Sequence, residues 1–199
     1  MTGMPVTLVP MAEILLFHHA LGQTPGFLAF ADEIRQTGHV VHTPDLYRGQ
    51  SFTTLEEGIF YAREAGFGEI LEAGVRAADQ LPHSLVYAGF SLGAMPAQKL
   101  AQTRPGARGA LLLHACLPVS EFGDSWPVEV PVQVHAMDAD PFFEEDQEAA
   151  NALVKSAAQA ELFLYAGNQH LFTDRSLPAY NADASALLMQ RVLAFLEQS

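Results

Sequence analysis

Leu85-Val86-Tyr87-Ala88-Gly89-Phe90-Ser91-Leu92-Gly93-Ala94-Met95-Pro96-Ala97 sets the architecture of this chain. Leu85 to Ala88 is a short apolar run of strand formers, and Leu92 to Leu100 has helical spacing with small residues near its start. Between them stands a G-x-S-x-G element, Gly89-Phe90-Ser91-Leu92-Gly93. A strand that runs straight into a helix lifts the central serine above the sheet edge, where it can act as a nucleophile. The two glycines let strand and helix backbones approach where a Cβ would intrude. Pro96 falls in the first helical turn, where the amide it lacks would have no helical partner anyway.

On either side of this corner, strands and helices alternate. A strand is expected near Ile14–His18, then a helix from about Gly26 to Thr37 that Gly38 stops. A strand over His39–Thr43 ends at Pro44-Asp45, and Thr54-Leu55-Glu56-Glu57 has the capping-box pattern that opens a helix. Another amphipathic helix is expected over Glu69–Leu81. Beyond the corner come strands over 109–114, 132–136 and 161–165, a helix over 144–158 and a closing helix over 184–197. Short, uniformly apolar strands between helices predict an α/β protein with a mostly parallel central sheet covered by helices on both faces. No low-complexity linker interrupts the chain, so one domain is expected over residues 1–199, with little chain to spare for a large lid.

A nucleophilic serine needs a base and an acid. Two later strand ends carry polar residues: Val132–Ala136 leads into Met137-Asp138-Ala139-Asp140-Pro141-Phe142, and Glu161–Tyr165 leads into Ala166-Gly167-Asn168-Gln169-His170. His170 would take the proton from Ser91, and an aspartate would hold the imidazole tautomer and favour the imidazolium that forms. Asp138 and Asp140 are both open as that acid, and Asp138 could instead close an Asx-type turn. The plain alternatives are a glycine turn with a bystander serine and a surface-loop histidine. The other histidines (His18, His19, His39, His42, His83, His114, His135) show no H-x-x-H or H-E-x-x-H spacing, and neither a metal nor another cofactor is expected. Phe27, Phe60, Phe67, Trp126, Phe142 and Phe172 are candidates either for an apolar pocket or for core and rim packing.

Composition narrows the class. With 199 residues, 49% of them hydrophobic, the chain can bury a sizeable core. Ten basic residues against twenty-three acidic give a net charge of −13, which argues against a nucleic-acid partner. The single cysteine, Cys116, rules out an internal disulfide framework and fits a reducing cytoplasm; its place after Ala110–Leu113 reads as a buried strand-end thiol. Pro5, Pro10 and Glu13 interrupt the apolar N-terminal stretches, and no run approaches the roughly 18 apolar residues of a membrane span. A cytoplasmic protein with no membrane contact is expected.

With these elements in place, the chain resembles the dienelactone hydrolase family of α/β-hydrolases along nearly its whole length. The resemblance is carried by Leu15-Leu16-Phe17-His18-His19-Ala20-Leu21-Gly22, by Gly38 to Tyr47 with its Pro44-Asp45-Leu46-Tyr47 ending, and by Glu64-Ala65-Gly66-Phe67-Gly68. The serine element, Asp140-Pro141-Phe142 and Tyr165 to Phe172 complete it. It implies an α/β-hydrolase fold without a large lid and a Ser91–His170–Asp140 triad, the family's acid directly preceding a proline-containing or hydrophobic turn. Backbone amides of Ala20 and Leu92 would form the oxyanion hole. The implied substrate is a small-molecule ester, lactone or related acyl compound, cleaved without a cofactor. Acyl transfer, thioester cleavage and a non-catalytic small-molecule binder on the same fold are the alternatives.

This chain also departs from the family. Ser91 stands where dienelactone hydrolase proper has cysteine, and His19 stands where it has a glutamate, so His19 becomes a candidate either for lining the substrate pocket or for its polar rim. The family's substrate-binding arginine is replaced near Asp174-Arg175, and Arg63 does not align clearly with the other. An anionic dienelactone is therefore not expected.

Overall fold

The protein is described here by a computed structural model that covers residues 11–199. Pro5 and Pro10, which interrupt the apolar N-terminal stretches, lie outside the described residues. In chain order the elements are β1 (Glu13–Phe17), α1 (Pro25–Gln36), β2 (Val40–His42), α2 (Leu55–Ala65), α3 (Phe67–Ala77) and β3 (Val86–Phe90). After the serine corner follow α4 (Ala94–Thr103), β4 (Gly109–Leu113), β5 (Val132–Met137), α5 (Gln147–Ser156), β6 (Ala160–Tyr165) and α6 (Ala182–Leu196). Among the described residues the strands form one six-stranded sheet in the order β2-β1-β3-β4-β5-β6, every neighbouring pair parallel.

The apolar strands have no polar face because both sides are covered. Ile14 and Leu16 of β1, Val86 and Ala88 of β3, and Leu111 and Leu113 of β4 pack with Phe30 and Ile34 of α1 and Leu188 and Val192 of α6. The alternate residues Leu15, Phe17, Tyr87, Ala110 and Leu112 pack on the other face with Ala97 and Leu100 of α4 and Leu153 of α5. Among the described residues no helix is long and apolar enough to cross a membrane.

Two helix starts follow the local sequence closely. Thr54 caps α2 through its side chain, and Glu57 reaches back to the cap backbone, completing the capping box. Pro96 is the third residue of α4, buried against α3; a Cβ on Gly74 would lie 2.5 Å from the Pro96 Cβ. The regular part of α4 begins later than the sequence suggests, because Ser91–Gly93 forms a 3-10 turn first. Likewise α5 starts at Gln147 rather than near Glu144, since the Asp140 carbonyl accepts from the amides of Phe143 and Glu144 (3.1 Å each) and holds that segment in turns.

The strand order places the site. The chain leaves β1 for β2 on one side, then crosses to β3 on the other, so β1 and β3 flank the point where the winding reverses. In open parallel sheets, ligands bind at the strand C-termini beside such a point. Ser91 follows β3 directly, and Ala20 lies three residues past β1.

Candidate active site

The serine corner is a backbone-to-backbone contact. A Cβ on Gly89 would stand 2.0 Å from the Gly93 carbonyl oxygen, and one on Gly93 would stand 2.6 Å from the Phe17 oxygen and 2.7 Å from that of His18. Only glycine lets β3, the helix start and the end of β1 meet this closely. Ser91 itself sits at φ +49°, a conformation that costs a non-glycine residue about 1–3 kcal/mol. Because both obstacles at Gly89 are backbone, Gly89→Ala is expected to destabilise the fold by about 1–3 kcal/mol. A thermal melt followed by circular dichroism should show a midpoint several degrees lower; an unchanged midpoint would contradict this corner geometry.

Loops after β5 and β6 bring the partners to the serine. The His170 Nε2 lies 2.9 Å from the Ser91 Oγ, and its Nδ1 lies 2.7 Å from the Asp140 Oδ2. Asp140 and His170 are buried, while Ser91 is half-buried. An ionised carboxylate only accepts, so Nδ1 carries the proton and Nε2 is free to accept from the serine hydroxyl. The second Asp140 oxygen accepts from the Phe142 amide (2.9 Å), which fixes the carboxylate plane. The Phe142 ring leans on the imidazole at a centroid distance of 4.6 Å and remains half exposed.

Asp138 does something else. It is exposed, and its carboxylate accepts from the Gly167 amide (3.0 Å), while its own amide donates to the Tyr165 carbonyl (2.9 Å). It stitches the loop that carries Asp140 to the loop that carries His170.

Ala20 and Leu92 flank the same corner. Leu92 is the second residue of the 3-10 turn, within the part of a helix whose amides lack internal partners. Ala20 lies in the loop whose preceding residues, Phe17 and His18, touch Gly93. Its carbonyl rests on α2, where a Cβ on Gly58 would come within 2.1 Å. Phe52 donates to the Leu21 carbonyl (3.0 Å), so the segment before α2 braces this loop as well.

His19 does not line an open pocket. It is 1% exposed: Nδ1 accepts from the Leu21 amide at 3.2 Å, and Nε2 pairs with Asp174 at 2.9 Å. Arg63 is exposed in the last turn of α2, and Arg175 pairs with Glu33 on the surface (2.9 Å). Of the six aromatic candidates, Phe27, Trp126 and Phe172 are core residues, Phe60 and Phe67 are exposed, and Phe142 meets the imidazole. Cys116 is buried, and burial with Asp146 nearby pushes its thiol up to about 12, leaving it a neutral packing group near pH 7.

Two residues beside the site gave little signal in the sequence. His114, just past β4, is fully buried at φ +65°, edge-on to His170 at 5.7 Å, and its Nε2 meets the Thr173 Oγ1 at 2.9 Å. Asp174 stood out only as a departure from the family. Its place opposite His19 depends on the turn after His170, which no local pattern announces.

Buried histidines also set an acid limit on the fold. Burial lowers His18 to about 4 and His135 to about 3, and it lowers His114 well below the ordinary 6.5. Unfolded, these imidazoles take up protons near pH 6.5; folded, they stay neutral until much lower pH. The unfolded state therefore binds more protons in this window, so stability falls as the pH drops below about 6.5. Each such histidine adds a slope of about 1.4 kcal/mol per pH unit. His135→Phe keeps an aromatic ring against Phe163 and should remove one share of that slope, read from urea unfolding between about pH 6 and 4.5. An unchanged slope would refute the assignment.

An open parallel sheet that carries a strand–serine–helix corner at its winding reversal is the α/β-hydrolase fold, and hydrolase structures superpose on it. A dienelactone hydrolase-like promiscuous phosphotriesterase from metagenomic libraries aligns with a TM-score of 0.74 at 20% identity, over 95% of this chain and 87% of that one. Dienelactone hydrolase from Anabaena variabilis aligns at 0.62 and 17% identity, over 93% and 85%. The thioesterase domain from the curacin biosynthetic pathway aligns at 0.62 and 16%, over 92% and 91%. No protein among the curated sequences matches. The family model for the dienelactone hydrolase family matches residues 2–199, and the chain belongs to that family. It is a hydrolase.

Proposed function

We propose that this protein is a cofactor-free serine hydrolase that cleaves a small ester or lactone through Ser91, His170 and Asp140. The observation that carries the reading is the continuous line of hydrogen bonds from the Ser91 Oγ to the His170 Nε2 (2.9 Å) and from Nδ1 to the Asp140 Oδ2 (2.7 Å). The serine hydroxyl attacks the carbonyl carbon as its proton passes to Nε2. Asp140 stabilises the imidazolium and keeps Nδ1 protonated. The oxygen that gains charge is met by the Ala20 and Leu92 amides, each worth about 10²–10³ in rate when aimed at it. His170 then returns the proton to the leaving group, and an ester now links Ser91 to the acyl group. Water, deprotonated by the same imidazole, attacks that ester and releases the acid.

The environment supports an uncharged substrate. Arg175 is engaged with Glu33, and the chain carries −13 overall, so a substrate carboxylate would be dehydrated beside His170 with little compensation. The lone, buried thiol suits the reducing cytoplasm where this reading places the enzyme. An uncharged fluorophosphonate tests the chemistry directly. It should add one covalent label to wild type, mapped to Ser91 by peptide mass spectrometry. A folded wild-type protein that takes no label would overturn the reading.

A further inference from the structure

Asp174 takes no part in the serine–histidine–acid line, yet it is 3% exposed and collects hydrogen bonds on both oxygens. Oδ2 accepts from the His19 Nε2 (2.9 Å) and from the hydroxyl of Thr24, the N-cap of α1. Oδ1 accepts from the Ser176 amide (2.9 Å) and hydroxyl (2.6 Å). The first turn of α1 is shaped around the carboxylate: a Cβ on Gly26 would stand 1.7 Å from Oδ1. Burial alone would raise this carboxyl, but the donors from His19, Ser176 and Thr24 outweigh it and hold Asp174 at about 2, an anion near pH 7.

The other end of the pair grips the loop that holds Ala20. The Nδ1 of His19 accepts from the Leu21 amide (3.2 Å), and the His19 carbonyl accepts from the His18 Nδ1 (2.8 Å) and the Gly22 amide (3.0 Å). Residues on both sides of Ala20 are therefore tied to one imidazole. Asp174 in turn donates its amide to the Leu171 carbonyl (3.0 Å), closing the turn that follows His170.

We propose that His19 and Asp174 are positioning residues that lock the Ala20 amide and the His170 turn into one rigid unit, so that oxyanion donor and base keep fixed places around Ser91. The inference rests on the serine-hydrolase reading above. Neither side chain needs to touch the substrate. A donor that acts on the tetrahedral oxygen affects the transition state more than the bound ester, so a loosened loop lowers kcat and leaves KM nearly unmoved.

The test uses the full chain as wild type, His19→Ala, His19→Gln, His19→Asn and Asp174→Asn, with p-nitrophenyl acetate as substrate and phenylboronic acid as a tetrahedral-adduct inhibitor. Gln places an N–H near the Nε2 position and keeps the link to Asp174; Asn places an acceptor near Nδ1 and keeps the link to Leu21. His19→Ala is expected to lower kcat by about 10²-fold with KM within about threefold, and to weaken boronate binding by a similar factor. The Gln and Asn variants should fall between it and wild type. Should the His19 variants fail to fold, Asp174→Asn, which sets an amide group against the existing donors, is expected to lower kcat at least about tenfold. A folded His19→Ala or Asp174→Asn protein with wild-type kcat overturns the proposal, as does a kcat loss with boronate affinity unmoved. The two failures are separable: wild type that stays unlabelled by fluorophosphonate defeats the hydrolase reading, whereas labelled, active wild type with an indifferent His19→Ala variant defeats only the positioning role.

Discussion

Ser91→Ala is expected to lower kcat/KM toward a small activated ester by about 10⁴–10⁶-fold while leaving the fold intact. The substitution removes one oxygen. The strained φ of +49° is imposed by the glycine contacts around the corner and not by the hydroxyl, so the backbone keeps its path. Alanine tolerates that conformation about as well as serine does, and the thermal midpoint should move little. What disappears is the atom 2.9 Å from the imidazole. On the proposed mechanism His170 could then act only on water, which would lack the fixed approach that makes attack by the serine effectively unimolecular. On the same mechanism the residual rate would report the proposed oxyanion donors and substrate binding without the nucleophile. Steady-state hydrolysis of p-nitrophenyl acetate, with circular dichroism on the same samples, measures both halves. A folded Ser91→Ala protein that keeps more than about a tenth of the activity would mean that the chemistry lies elsewhere.

Sequence and structure agree most closely where the reading rests on short-range chemistry. Gly89, Gly93 and Pro96 announced the corner because each has a steric reason to stand there, and the contacts at Gly89, Gly93 and Gly74 show that reason. Thr54 and Glu57 announced α2 through a reciprocal cap that needs only four consecutive residues. The parallel sheet was legible because uniformly apolar strands must be covered on both faces. The sequence was less clear where distant segments meet. The choice between Asp138 and Asp140 depends on which carboxylate a two-residue offset turns toward His170, and local pattern left both open. His19 is a candidate for the pocket or its polar rim only because it stands where the family resemblance places a glutamate. Its actual partner, Asp174, lies 155 positions away, past the left-handed turn at Leu171. His114 gave no signal either: a histidine after a strand looks the same whether it is exposed or fully buried beside His170.

The two aspartates of the β5 loop should separate sharply when each is changed to asparagine. Asp140→Asn is expected to lower kcat by about 10⁴-fold, and Asp138→Asn by no more than about threefold. At position 140 the side-chain oxygen can stay with the Phe142 amide, now 2.9 Å away, which leaves the new amide group facing the His170 Nδ1 2.7 Å from the present oxygen. Two donors cannot share that contact, so the imidazole gives up its Nδ1 proton and carries it on Nε2 instead. An Nε2 that holds a proton cannot accept one from Ser91. The geometry survives and the tautomer is wrong, which is why the loss falls on the chemical step. At position 138 an asparagine oxygen still accepts from the Gly167 amide, so the two loops remain stitched. Tautomer and rate should then be undisturbed. Parallel kinetics on the two variants, with thermal midpoints to exclude unfolding, decide the matter. A folded Asp140→Asn protein that loses no more than Asp138→Asn is expected to lose, about threefold, would take Asp140 out of the mechanism and leave its hydrogen bond to His170 a structural one.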